Sequence, residues 1–171
     1  MAAQLLTQTI INEAVTLDEA KMHLRINPDD NSEDMLIILP LIAAAREYCE
    51  NYTGRAFAPQ KIAALTDAAG TTELPRCPVK SIDSVTVDGK AVEYTADLRR
   101  GTVTVNEPNA TITYTAGGHV PFMVRQAMLL LIGHWYANRE AVTMSSTVAQ
   151  VSHEVGMAAQ AMLRQYKGWW F

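Results

Sequence analysis

One stretch limits the possible folds of this chain more than any other: residues 120–142, VPFMVRQAMLLLIGHWYANREAV. Pro121 has a fixed φ and no N–H, which suits the first turn of a helix. Val124, Ala127, Met128, Leu131 and Trp135 then recur at the i, i+3, i+4, i+7 spacing of one helical face, with Met123, Leu130 and His134 beside it. A helix apolar over so much of its circumference needs neighbours on several sides. It is therefore the expected centre of a helical bundle, and Leu36, Ile42, Met128, Leu131 and Trp135 are its expected core.

The rest of the helical part is read around that centre. Thr16 and Glu19 form a T-x-x-E capping box that starts a short helix running to about Ile26, with Leu17, Ala20 and Leu24 inward and Asn27-Pro28 as its stop. A second helix is expected from near Ser32 to Thr53, ended by Gly54. Pro40 lies inside it and costs one backbone bond plus a clash with the carbonyl four residues back, so a kink or break is expected near Leu36. Ala43, Ala44 and Ala45 would let the central helix approach closely. A last helix is expected over 157–166, with the polar, aperiodic stretch before it read as a loop.

Between 55 and 119 the texture changes to short β-rich runs broken by Pro, Gly and Asp. Residues 81–87 alternate, Asp88 and Gly89 suit a type I′ turn, and 91–94 return, which defines a hairpin. Residues 102–105 and 111–115 give a second hairpin around the turn 106–109, and the two would pair into a small antiparallel sheet. Gly117 and Gly118 are expected as a flexible exit into the central helix. The fold class is thus α+β, mainly α: about four helices with an inserted small antiparallel β subdomain. In the expected layout, 1–171 is a single domain, with a helical core of 16–54 plus 120–167, a β insertion of 55–119, an N-terminal arm of 1–15 and an aromatic tail of 168–171.

A chain of 171 residues can bury roughly 70% of its unfolded surface in one domain. Its longest uncharged apolar run, 35–45, is 11 residues, short of the ~20 that span a bilayer, and no basic-then-apolar leader opens the chain, so a soluble, unexported protein is expected. Fourteen basic against eighteen acidic residues leave a formal charge of −4, which supplies no general attraction for nucleic acid. Cys49 and Cys77 match no metal spacing; reduced thiols are the simplest reading, and a disulfide between them stays open.

Chemistry-bearing motifs are scarce. Asp29, Asn31 and Glu33 alternate like the first ligands of a calcium loop, but Asp34 stands where that loop needs glycine and Pro40 where it needs a bidentate glutamate. These carboxylates are better read as a linker favouring the next helix's N-terminus. His23, His119, His134 and His153 lie in four different elements without a metal-helix pattern, and His134 is read as a packed, hydrogen-bonded side chain. With no nucleophile elbow, phosphate loop or dinucleotide fingerprint, the expectation is no enzyme, no cofactor and no metal. The closing Trp169, Trp170 and Phe171, with Tyr166 before them, either cap the chain's own bundle or anchor a partner, where buried aromatics dominate binding energy.

Several of these landmarks, taken in order, resemble the head-tail connector (head-completion adaptor) family of tailed phages. The run LLLIGHWYANREAV after the strand TITYTAG is similar to that family's signature helix. Residues 17–21 with 23–25, 42–55 (IAAAREYCENYTGR), and 74–76 with 81–85 resemble its other landmarks, so the likeness covers about 17–166. Pro40 and the Trp-Trp-Phe end depart from the family's pattern. The resemblance implies a structural virion protein, made in the host cytoplasm and placed at the head-tail interface. There it would form a ring, most simply a dodecamer, beneath the portal protein, extend the DNA channel without binding duplex tightly, and receive the next head-closure or tail-side protein. It implies no catalysis, cofactor or membrane. The competing readings from the residues alone are a non-viral protein-binding adaptor or scaffold and an unrecognised hydrolase.

Overall fold

The computed structural model describes residues 2–138 and 146–167, and of 146–154 the backbone alone. The chain divides into two compact units, one built from 1–12 with 54–119 and the other from 13–53 with 120–171. The class is α+β, but helix and strand take nearly equal shares of the chain, so it is not mainly α.

The helical unit contains α1 (Leu17–Leu24), α2 (Leu39–Thr53), α3 (Phe122–Ala137) and α4 (Ser146–Leu163), the last followed by a 3₁₀ turn, Arg164–Tyr166. The capping box at α1 is complete: the Thr16 side chain accepts from the Glu19 N–H, and the Glu19 carboxylate accepts from the Thr16 N–H at 2.9 Å. As its apolar circumference requires, α3 packs against each of the other three helices. Val124, Ala127, Met128, Leu131 and Ile132 are buried on it, and Ile42, Ala45 and Cys49 on α2.

The helix is interrupted near Leu36, where Pro40 leads one to expect it: a π-helical turn, Asp34–Ile38, lies directly before α2, and in it the N–H of Ile38 and that of Leu39 each reach back five residues, to Glu33 and Asp34. The wider turn ends just ahead of Pro40, which is the second residue of the regular helix that follows. The same turn rotates Leu36 outward: expected in the core, it is 84% exposed. A second departure concerns α4, which begins at Ser146 although the stretch before 157 reads as loop. Serine and β-branched residues lose only ~0.7 kcal/mol each against alanine in a helix, and packing on α3 overrides that. The expected loop's first residues, 143–145, lie outside the described residues.

The β unit holds eight strands in two sheets. Its first, β1 (Gln4–Ile10), lies in the segment expected as an N-terminal arm; it pairs antiparallel with β2 (Gln60–Thr66). Strands β3 (Gly70–Glu73), β4 (Val79–Val87), β5 (Lys90–Ala91), β6 (Tyr94–Asp97), β7 (Thr102–Val105) and β8 (Ala110–Ala116) complete it. One sheet runs β1-β2-β8-β4-β5 and the other β3-β7-β6. The Asp88-Gly89 turn joins β4 and β5 with both φ positive, 49° and 77°, as a type I′ turn demands. However, the return strand lasts only two residues, and Tyr94–Asp97 crosses to the second sheet. The other expected hairpin does not form, because β7 and β8 belong to different sheets. β8 alternates buried and half-buried residues along its length, and it pairs with both β2 and β4, partners remote in sequence. Residues from both sheets share one core, including Ile62, Leu74, Val85, Val103, Val105, Ile112 and Tyr114.

The exit at Gly117 and Gly118 is held rather than flexible. Gly117 N–H donates to Pro78 O at 3.0 Å and Gly118 N–H to Phe57 O at 2.8 Å. A Cβ on Gly117 would lie 2.0 Å from the Ala58 carbonyl oxygen, so no other residue fits there.

Candidate functional site

The most elaborate polar arrangement in the helical unit lies where α1 meets the acidic segment 29–34. Lys21 is on the inward side of α1, one turn after Leu17, and is 2% exposed. Its ammonium has three donors and three acceptors around it: Asp34 Oδ2 at 2.7 Å, Asn31 Oδ1 at 2.9 Å and the Pro28 carbonyl at 3.1 Å. The loop that resembles a calcium loop in sequence therefore wraps a cation that the chain itself supplies. Within it, Asp30 accepts from the Ser32 N–H, and Ser32's side chain and then its backbone hold the Asp30 carboxyl below its ordinary value. Among the described residues no group of acidic, histidine or cysteine side chains has the arrangement of a metal site.

Four further contacts tie this unit together. Arg46, buried on α2, donates from Nε to Glu13 at 2.8 Å and from Nη1 to Glu50 at 3.2 Å, which gives a buried guanidinium two carboxylates. Arg125 of α3 pairs with Glu19 of α1; the Thr16 N–H, and next to it Arg125, hold the Glu19 carboxyl below its usual range. Tyr136 donates its hydroxyl to Glu33. Lys21 and Arg46 carry no motif that points to a buried charge, and Glu33 enters the sequence reading only through the calcium-like alternation with Asp29 and Asn31. The one signal for Lys21 was its helical phase, four residues after Leu17 and three before Leu24.

An apolar cleft opens on the same unit between α2, α3 and α4. Tyr48 and Trp135 form its wall as an edge-to-face pair with centroids 6.3 Å apart, joined by Leu131, His134, Asn138, Val155 and Gly156. Its volume is about 270 Å³. Gln160 donates to the Tyr48 hydroxyl at 3.0 Å. His134 Nδ1 lies 3.2 Å from the Asn138 side-chain amide.

Of the expected core residues, Ile42, Met128 and Leu131 are buried, Trp135 is half-buried on the cleft wall, and Leu36 faces water. Tyr166 is half-buried in the final 3₁₀ turn, and the next residue, Lys167, holds its ammonium 5.3 Å from the centroid of the Tyr52 ring. Trp169, Trp170 and Phe171 lie outside the described residues. Cys49 and Cys77 are both free thiols. Arg99 and Arg100 sit in the turn after β6, where both backbone N–H groups donate to Asp97 and the Arg100 side chain stays in solvent. Among the described residues no helix is long and apolar enough to cross a membrane.

An α+β chain of this architecture occurs in the necks of phage-like particles. The chain superposes on a chain from the neck of an empty gene transfer agent particle, computed with C6 symmetry, with a TM-score of 0.69 at 18% identity over 97% of both chains. A chain from the native particle's neck, computed with C12 symmetry, matches with a TM-score of 0.69 at 17% identity over 100% of this chain and 97% of that one. A third, from the virion of the native particle, gives 0.67 at 18% identity over 97% of both. No curated protein matches the sequence. The model of the phage gp6-like head-tail connector proteins matches residues 14–167, and the chain belongs to that family.

Proposed function

We propose that this protein is a ring-forming connector subunit placed beneath the portal of a tailed-phage-like particle, where it continues the DNA channel and presents a docking surface to the next head-closure or tail-side protein. The observation that carries this reading is the family match over 14–167, which spans nearly the whole chain. The neck structures it resembles, computed with C6 and C12 symmetry, make a twelve-membered ring the favoured arrangement. Closed rings need heterologous contacts between two unlike patches of the same subunit, and a chain with a helical unit and a β unit offers unlike surfaces.

In this reading the bundle core of Ile42, Met128 and Leu131 is scaffold, and Tyr166, Trp169, Trp170 and Phe171 anchor the chain to a neighbour, most simply the portal. Clustered aromatic side chains are suited to that role, since a few buried aromatics dominate interface energies. The acidic balance suits a channel through which DNA passes without being held. Imaging of assembled particles tests the proposal: twelve copies in a ring between portal and tail are expected. A single copy or a two-fold dimer at that level would overturn it.

A further inference from the structure

The β unit has four sheet edges, and they are not equivalent. In the three-stranded sheet, the outer side of β3 is partly taken: Ala3 N–H donates to Glu73 O at 2.9 Å, and Ala2 bridges Glu73. In the five-stranded sheet, β5 is two residues long and carries Lys90, so it offers little to pair with. Short length and lysine are ways in which sheet edges are kept from recruiting other chains.

Beyond β5 the outer side of β4 is unpaired over residues 79–84, but it carries Lys80 and Asp83 and two register shifts, which guard an edge in the same way. That leaves β1 and β6. No residue from 2 to 12 is charged and none is proline. β1 pairs only with β2 among the described strands; its register shifts once, at Leu6, and is regular from Thr7 to Ile10. Leu5, Leu6 and Ile11 are 39%, 48% and 50% exposed. An uncharged edge with open backbone groups and solvated leucines selects its own kind of partner, an extended strand that completes the hydrogen-bond ladder. β6 is open in the same way: all four of its residues are exposed, it pairs only with β7, and Tyr94 and Leu98 stand bare at its ends. A cleft of about 160 Å³ lies beside it, lined by Glu93, Tyr94, Thr95, Thr104 and Asn106.

We infer that the β1 edge of one copy pairs with the β6 edge of the next, with the exposed leucines of β1 covering the cleft beside Tyr94. This rests on the ring reading above and adds to it the surface through which the ring closes. The occupant is a second copy because one unit carries two open edges of different sequence, and such a pair forms the head-to-tail contact that closes a ring. Two β1 edges meeting each other would instead give a two-fold dimer.

The test uses the full-length chain in assembled rings or particles, in a Cys77→Ser background. Thr7→Cys and Thr9→Cys are each combined with Thr95→Cys and oxidised. Disulfide-linked multimers climbing toward the full ring are expected on a non-reducing gel from at least one combination, and none beyond a dimer from chains with only one introduced cysteine, since the remaining Cys49 is buried. A second measurement uses Leu6→Lys, a substitution at an exposed position, which should reduce ring assembly at least tenfold with an unchanged unfolding midpoint. Normal rings by native mass that yield no multimer from either pair would overturn the edge pairing and leave the ring reading standing. Absence of any ring from the unmodified chain, both alone and with the portal, would remove both.

Discussion

Lys21 Nζ and Asp34 Oδ2 lie 2.7 Å apart with both side chains withdrawn from water, the lysine on the first helix and the aspartate at the start of the π turn. The other carboxylate oxygen of Asp34 is buried without a hydrogen-bond partner among the described residues, so the pair depends on the ammonium to offset the cost of desolvation. Replacing one partner, by Lys21→Met or Asp34→Leu, leaves the other buried and uncompensated and should destabilise the protein by ~3–5 kcal/mol. The double replacement should recover most of the loss, since an apolar pair of similar volume is often neutral. Chemical denaturation of the three variants checks this; equal losses in the single and double variants would show that the pair is not coupled.

The half-buried position of Trp135 on the cleft wall separates it from Met128, which is fully enclosed. Met128→Ala should cost ~2–5 kcal/mol, whereas Trp135→Ala should cost less than the ~3 kcal/mol that marks truncation of an enclosed aromatic. Unfolding midpoints measured side by side decide the order. A larger loss at Trp135 would mean that the cleft is closed in solution.

Alkaline pH should weaken the fold through Cys49. Burial first, and then the negative charge of Glu50, push its thiol from 9.0 up to about 12. Above pH 9 the unfolded chain gives up the thiol proton while the folded chain keeps it. The stabilising contribution is therefore intact below pH 9 and is lost as pH rises toward 12. The intact protein should lose stability more steeply across that window than Cys49→Ala. Tyr114, whose hydroxyl is also pushed up by burial, acts in the same direction in both chains. At pH 8 a thiol reagent should modify half-buried Cys77 well before Cys49; simultaneous modification would count against a closed α2 face.

If the aromatic tail is an anchor, removing Trp169, Trp170 and Phe171 should weaken attachment to the portal by ~2 kcal/mol or more per buried ring and leave the unfolding midpoint of the isolated chain unchanged. Thermal unfolding and portal binding of the truncated chain are the paired measurements. A lowered midpoint with binding intact would assign the tail to its own bundle instead.

Duplex DNA should bind the isolated protein poorly at physiological salt, because a chain with a formal charge of −4 neutralises few phosphates and releases few counterions. A salt titration by fluorescence anisotropy checks this. Tight binding that falls steeply with salt and is lost in Arg99→Ala with Arg100→Ala would place DNA against the turn after β6.

By itself, the sequence determined the elements whose signals are local. The Thr16–Glu19 box starts α1, the continuous apolar surface of residues 122–137 makes α3 the helix that touches all the others, and Asp88-Gly89 turns β4 into β5. Each of these depends on side chains within about seven positions of one another, so spacing alone carries it. Family membership was legible for the same reason, since its landmarks occur in order along the chain. Tertiary structure decided what depends on partners remote in sequence. β1 and β2 lack strong alternation and become strands because β8 supplies a ladder to β2, and β2 to β1. β7 leaves β8 for β3 and β6, a choice among backbone hydrogen bonds that are chemically alike and are distinguished only by how both sheets bury one core. Lys21 gains its partners only when Pro28, Asn31 and Asp34 fold over it, and Leu36 reads as core until the π turn before Pro40 swings it into water. A buried charge and a shifted helical phase are both settled by which groups meet in space, and a list of residues does not contain that information.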